Sequence, residues 1–88
     1  MPTKEVIDKV RELDTALAKA PAVPAQARPD AEEVRQQLAT ILVEPSSEPR
    51  YHGLTDRLRR LYAQLETDHP MLAGAVSGVI DSLAEAGL

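Results

Sequence analysis

The chain contains no cysteine, tryptophan or phenylalanine, and Tyr51 and Tyr62 are its only aromatic residues. The absence of cysteine excludes disulfides, thiolate nucleophiles and cysteine-ligated metals. The core of these 88 residues must therefore consist of Leu, Val, Ile, Ala and the two Met. A single core is only marginally sufficient at this length, so association with a second chain would add useful burial.

Long apolar runs and an excess of positive charge are also missing. No segment approaches the roughly 20 apolar residues that cross a bilayer, and the charged Lys4 and Glu5 leave no room for a signal-peptide core at the N-terminus. The net charge of -4 opposes unspecific binding to nucleic acid or anionic lipid, because phosphate contacts are made by Lys and Arg. We therefore expect a cytoplasmic protein without a membrane partner.

What the sequence does contain is apolar residues at helical spacing. Near the N-terminus they recur at alternating intervals of four and three: Val6, Val10, Leu13, Leu17 and Ala20. Thr3 precedes this run as a candidate N-cap, and Glu5 in the first turn suits the positive end of the helix dipole. The pattern predicts a first amphipathic helix.

Residues 20–29 form a Pro/Ala-rich stretch that predicts a linker, because each of its prolines removes a backbone donor and restricts the residue before it. We interpret the Pro-x-x-Pro pattern of Pro21 and Pro24 as a connector, since no basic or aromatic context accompanies it. A second helix is predicted from Asp30, which forms a capping-box pattern with Glu33, to a stop at Pro45. Its apolar stripe consists of Val34, Leu38, Ile41 and Leu42.

A third apolar run predicts a helix from near Glu48 to Glu66. It comprises Tyr51, Leu54, Leu58, Leu61 and Leu65. Ser47 is a candidate cap, and Pro49 is tolerated in the first turn of a helix. Gly53 weakens the start by about 1 kcal/mol relative to Ala, so a helix that begins nearer Leu54 is the alternative.

The C-terminal stretch is the least charged part of the chain, with no ionisable residue from Pro70 to Ile80. Its apolar residues fall on one side of a helix, and the resulting stripe must be buried. The stripe consists of Leu72, Val76, Val79, Ile80 and Leu83. Gly87 suits the left-handed position that follows a helix, with Leu88 placed to fold back on Leu83 or Ala84.

Asp68, His69 and Pro70 form the predicted initiation motif of this last helix. The residue before a proline avoids helical backbone, whereas proline itself fits the first helical turn. So short a break favours an antiparallel helical hairpin. The sequence thus predicts a single all-α domain over residues 1–88, a small bundle of three or four amphipathic helices with a C-terminal antiparallel helical hairpin.

Two glycines on the last helix suggest an interface. Gly74 and Gly78 lie opposite the apolar stripe, flanked by Ser77 and Asp81, and each weakens a helix by about 1 kcal/mol relative to Ala. These four residues are the candidate interface, at which a second helix could approach closely. The alternative is a merely exposed face, because the small-x-x-x-small spacing is a membrane-helix signal that transfers weakly to other helices.

A basic face is predicted on the third helix. It consists of Arg50, Arg57, Arg59 and Arg60. Such a face can meet phosphates, but aromatic stacking platforms are missing. The alternative is that the arginines answer acidic residues of the neighbouring helix of the hairpin, or of a second copy.

No motif in the sequence points to catalysis. Glu48, His52 and Asp56 recur at intervals of four and could share one helical face. A metal site usually needs three or four convergent ligands, and the only other histidine, His69, lies beyond this helix, so we interpret His52 as a surface histidine. Phosphate-binding glycine loops and serines with an adjacent base are absent. We expect no enzymatic activity and no cofactor.

Three segments of the C-terminal half resemble a family of short bacterial proteins classed only as a domain of unknown function. They are residues 54–58 (LTDRL), 65–73 (LETDHPMLA) and 83–88 (LAEAGL). The family shares a His-Pro-x-Leu helix start and ends in Gly followed by Leu or Ile, whereas the Pro/Ala-rich linker departs from its more charged connection. The resemblance implies a bacterial cytosolic source and a near-complete chain, and it implies no activity.

From these observations we expect a non-enzymatic protein association or regulatory module that forms a homodimer. The alternative is a nucleic-acid-associated protein that uses the face of Arg57, Arg59 and Arg60. The alternative predicts binding that falls steeply with salt.

Overall fold

The computed structural model describes residues 2–19 and 23–88, which form four α-helices and two short 3-10 turns. The helices are α1 (Lys4–Lys19), α2 (Arg28–Val43), α3 (Leu54–Leu65) and α4 (Pro70–Glu85), and the 3-10 turns span Ala25–Ala27 and Glu48–Tyr51. No strand occurs in these two ranges. The predicted all-α class is confirmed, while Ala20 and Pro21 of the predicted first helix and linker lie outside the described residues.

The four helices form an up-down-up-down bundle. Each helix packs against its neighbours in the chain, and α1 closes the ring by packing against α4. Helices α3 and α4 form the predicted antiparallel hairpin, joined by a turn in which the His69 amide donates to the Leu65 carbonyl at 2.8 Å. None of the described helices has the length and apolar character needed to cross a bilayer.

The core is aliphatic, as the composition requires. Its fully buried large side chains include Val6, Val10, Leu13, Val34, Leu38, Ile41, Leu54, Leu58, Leu61, Leu65, Val76 and Leu83. The stripes of α1 and α3 are buried as predicted, whereas Leu42 of α2 is half-buried. One buried hydroxyl lies among these residues, and Ser82 Oγ donates to the Val79 carbonyl at 2.9 Å.

Only some of the helices begin where the sequence predicts. Thr3 Oγ1 accepts from the Val6 amide at 3.3 Å, so Thr3 caps α1 as predicted. Helix α2 begins at Arg28, two residues before Asp30, because Pro29 is accommodated in its first turn, where a missing N–H leaves nothing unsatisfied. The capping box predicted for Asp30 and Glu33 is therefore wrong.

The predicted continuous third helix is divided into two pieces. Residues Glu48–Tyr51 form a 3-10 turn, and α3 begins only at Leu54. Gly53 separates them with a φ of +74°. This left-handed backbone conformation cannot be part of a right-handed α-helix. The alternative start at Leu54 is thus confirmed, and the Ser47 side chain forms no cap bond.

Helix α4 has the predicted ends but a shifted stripe. His69 is its N-cap residue, without a side-chain bond, and Pro70 is the first helical residue. At the other end Gly87 has a φ of +75°, and the Leu88 amide donates to the Leu83 carbonyl at 2.9 Å. This backbone bond pattern, completed by the Gly87 amide and the Ala84 carbonyl, is a Schellman motif.

The stripe of α4 is rotated by a fraction of a turn from the predicted one. Ala73 and Ser82 are buried, whereas Leu72 and Ile80 are only half-buried. Met71, which composition assigns to the core, is 91% exposed. Because α4 is apolar on nearly all sides, its hydrophobic residues do not indicate which side faces the other helices.

Candidate association surface

The outer face of α4 carries Met71, one of the two exposed large hydrophobic residues in the described part of the chain. At 100° per residue, positions 71, 74, 78 and 81 lie along one side of the helix. Met71, Gly74 and Asp81 are exposed there, and Ser77 and Gly78 are half-buried. The part of this face between Met71 and Asp81 carries no charge.

A shallow groove of about 530 Å³ adjoins Met71. Helices α1 and α4 run antiparallel, so the C-terminal end of α1 lies beside the N-terminal end of α4. The groove is lined by Ala16, Lys19, His69, Pro70, Met71 and Leu72. Sequence inspection missed this groove, because it arises only when α1 and α4 become neighbours.

The two candidate interface glycines differ in their surroundings. A Cβ added to Gly74 would meet no atom within 4 Å, so this position opens to solvent. A Cβ added to Gly78 would lie 3.7 Å from Lys9 Cδ, an ordinary contact with the aliphatic stem of that side chain. Gly78 therefore lies at the edge of this face that α1 covers, whereas Gly74 lies in its open part.

The predicted basic face is largely engaged within the molecule. Arg50 forms an ion pair of 2.9 Å with Glu44 and donates to the Thr40 carbonyl at 2.8 Å. Arg57 donates to Gln37 Oε1 at 2.6 Å, and its Nε lies 3.7 Å from Glu33. All four partners of these two arginines belong to α2 or its C-cap.

The remaining two arginines differ, since Arg60 has a carboxylate partner and Arg59 has none in the described ranges. Arg60 lies 3.7 Å from Asp30 at the start of α2. Arg59 is exposed and forms no ion pair with any residue in the described ranges. The expectation that the arginines answer acids of α4 is wrong, because α2 rather than α4 supplies the carboxylates. Of the predicted basic face, only Arg59 remains without such a partner.

Two glutamines, which sequence inspection passed over, complete the contact between α2 and α3. Gln37 Nε2 donates to the carbonyls of Arg50 and His52 at 3.0 and 2.9 Å. Gln64 Nε2 donates to Asp30 Oδ2 at 2.8 Å. We call this row of polar contacts the α2–α3 seam. It holds the short turn before α3 against α2, so its role is structural.

Glu48, His52 and Asp56 line one depression of about 330 Å³, together with Gly87 and Leu88. The break at residue 53 prevents their arrangement along one continuous helix. No group of three His, Cys, Asp or Glu side chains that could hold a metal occurs in residues 2–19 and 23–88. The depression thus brings these side chains into one region without forming a ligand set.

Tyr51 forms the inner wall of this depression. Its ring is buried, and its hydroxyl donates to the Pro45 carbonyl at 2.7 Å. Burial raises the pKa of the Tyr51 hydroxyl above its usual value of 10.0, because the charged phenolate would lose hydration. The hydroxyl is therefore a neutral structural donor at physiological pH.

Comparison with known proteins identifies a family and assigns no activity. The chain belongs to the family described as Domain of unknown function (DUF4404), which it matches over residues 6–88. No match was found among curated proteins or among solved structures. The predicted resemblance to a domain of unknown function is confirmed, and the match includes α1 and α2 as well as the C-terminal half.

Proposed function

We propose that this member of the DUF4404 family is a non-enzymatic association module of the cytoplasm that forms a homodimer through the outer face of α4 and the adjoining groove. A regulatory role would follow if dimer formation controls a second partner. We call the surface formed by Met71, Gly74, Ser77, Asp81 and the groove the α4 surface.

The observation that carries the proposal is the 91% exposure of Met71 at the rim of an apolar groove. Methionine is flexible and unbranched, so it adapts readily to a partner surface. Exposed large hydrophobic residues are otherwise rare in the described ranges, where Val43 is the only other one. An apolar side chain beside an unfilled apolar groove supports association.

The size of the surface sets the expected affinity. Helix α4 has 16 residues, so it is about 24 Å long and about 10 Å wide, which gives a footprint of about 240 Å². A stable interface buries about 800 Å² on each partner. The groove and the flank of α1 must therefore contribute, and we expect a weak dimer that dissociates on dilution.

The test is the solution mass, measured by light scattering and sedimentation from high to low micromolar concentration. We expect a mass near twice the 9.6 kDa of the chain at high concentration, falling towards the monomer on dilution. Met71→Glu should raise the dissociation constant by at least about 10-fold, because it places a charge where apolar burial stabilises the dimer. A monomer at every concentration would refute the proposal.

The matched control is Val43→Glu, which changes the other exposed large hydrophobic residue at the opposite end of the bundle. This variant should dimerise like the unmodified chain, whereas an equal loss would place the interface elsewhere. The alternative, a nucleic-acid-associated protein, is tested with Arg59→Glu, because Arg57 and Arg60 also support the fold. Salt-sensitive binding of nucleic acid that Arg59→Glu abolishes would favour that alternative.

A further inference from the structure

We infer that the homodimer is antiparallel, with the outer face of α4 packed against the same face of a second copy. The twofold axis passes between the two helices at the level of residue 76. This inference rests on the proposed function and adds the orientation of the two copies and the charges that determine it. Lys19 of each copy lies opposite Asp81 of the other in this arrangement.

Charge is distributed unevenly along the α4 surface. The groove at one end is lined by the basic side chains of Lys19 and His69 and by no acidic residue. Asp81 and Glu85 are exposed towards the other end, and residues 61–88 contain no Lys or Arg. Along the surface Lys19 therefore supplies positive charge at one end and Asp81 with Glu85 negative charge at the other, while the residues of α4 between them are uncharged and Lys9 of α1 borders the surface at Gly78.

These charges, on Lys19, Asp81 and Glu85, have no ion-pair partners among residues 2–19 and 23–88. By contrast, Arg50, Arg57 and Arg60 each pair with a carboxylate of α2 or its C-cap. Unpaired charges of opposite sign at the two ends of one apolar face match a second copy that runs in the opposite direction.

The positions on the outer face of α4 are spaced symmetrically along the helix. A twofold axis at residue 76 brings position 71 opposite 81 and position 74 opposite 78, since each pair is centred on 76. Positions 71 and 81 each lie about 7.5 Å from the axis at a rise of 1.5 Å per residue. Met71 and the adjacent Lys19 thus meet Asp81 of the second copy, and the open space at Gly74 allows the helices to approach.

A parallel arrangement is disfavoured by the same charges. It would place the groove with Lys19 beside its own counterpart, and Asp81 beside Asp81 of the second copy. Like charges would then face each other at both ends of the interface, which destabilises association. The antiparallel arrangement converts both repulsions into attractions.

The test is a charge exchange followed by sedimentation at low ionic strength. Lys19→Glu and Asp81→Lys should each raise the dissociation constant of the dimer by about 10-fold, because two symmetry-related exposed pairs become repulsive in each case. The double variant, K19E with D81K, should return to within a few-fold of the unmodified chain, since both pairs are restored with their signs exchanged. Added salt should reduce all of these differences.

Two controls match the changes in net charge. Glu32→Lys on α2 and Arg59→Glu on α3 alter exposed residues away from the α4 surface and should leave dimerisation unchanged, and circular dichroism should show an intact fold in every variant. If the unmodified chain dimerises but the double variant stays as weak as the single ones, the antiparallel arrangement is refuted while the homodimer stands. A monomeric unmodified chain refutes the proposed function itself.

Discussion

Gly74→Ala is the substitution that most directly examines the outer face of α4. Gly74 lies within a helix that spans Pro70–Glu85, its φ is not positive, and an added Cβ would meet no atom within 4 Å. The substitution therefore removes only the backbone freedom of glycine in the unfolded chain. We expect the free energy of unfolding of the monomer to rise by about 1 kcal/mol, which corresponds to about 4–8 °C in Tm for a domain of this size.

Two other glycines provide matched comparisons. Gly78→Ala should stabilise the monomer by a similar amount, because its Cβ would lie at an ordinary 3.7 Å from Lys9 Cδ. Gly87→Ala should instead destabilise by about 1–2 kcal/mol, since the φ of +75° at this position is strained for any residue with a Cβ. The same chemical change is thus expected to have opposite signs at positions 74 and 87.

The assay is thermal unfolding followed by circular dichroism, at concentrations below and above dimerisation. At low concentration, a Gly74→Ala variant that is no more stable than the unmodified chain would refute the assignment of this position to an open helical face. At high concentration, a methyl group at position 74 should reduce the tendency to dimerise if a second helix packs there. Higher stability with unchanged dimerisation would remove Gly74 from the interface.

Three further expectations concern the fold outside the α4 surface. Gln37→Ala should lower the free energy of unfolding, measured in urea, by about 1–2 kcal/mol, because the contact between α2 and α3 loses three hydrogen bonds. A similar loss for Gln36→Ala, which changes an exposed neighbour, would contradict this reason. The raised pKa of Tyr51 means that the unfolded chain releases this proton first, so its contribution to stability is full below pH 10.0 and is lost as pH rises through the higher folded pKa. Tyr51→Phe should flatten that alkaline decline in pH-dependent denaturation, and an unchanged decline would contradict the role of Tyr51. Leu58→Ala should destabilise by about 2–5 kcal/mol in thermal unfolding, since Leu58 is fully buried, and a loss below about 1 kcal/mol would contradict its place in the core.

The local signals in the sequence were reliable where the cause is local. The bond from the Val6 amide to Thr3, the first-turn position of Pro70 and the left-handed Gly87 depend on residues within a few positions of one another. The start of α2 was misplaced because Pro29 permits an earlier start, so a capping pattern at Asp30 competed with a second acceptable solution. Asp30 instead contacts Gln64 and Arg60 of α3, which no local pattern indicates.

The candidate surface was predictable only in outline. The glycines and the uncharged stretch pointed to α4. The exposure of Met71 and the groove that it shares with Ala16 and Lys19 could not be inferred from the sequence. A helix that is apolar on nearly all sides has no unique buried side, so its rotation depends on the neighbours that cover it. The arginines of α3 gave a similar ambiguity, because their type and spacing suit phosphate and carboxylate partners equally.

Helical periodicity and backbone restrictions act over a few residues, so the order of amino acids is enough to specify amphipathic helices, most of their boundaries and an aliphatic core. Which helices become neighbours depends on how they pack together. That choice directs the arginines of α3 towards the carboxylates of α2, places the end of α1 beside Met71 and leaves one side of α4 open. It depends on the simultaneous packing of four faces, which no single stretch of sequence contains.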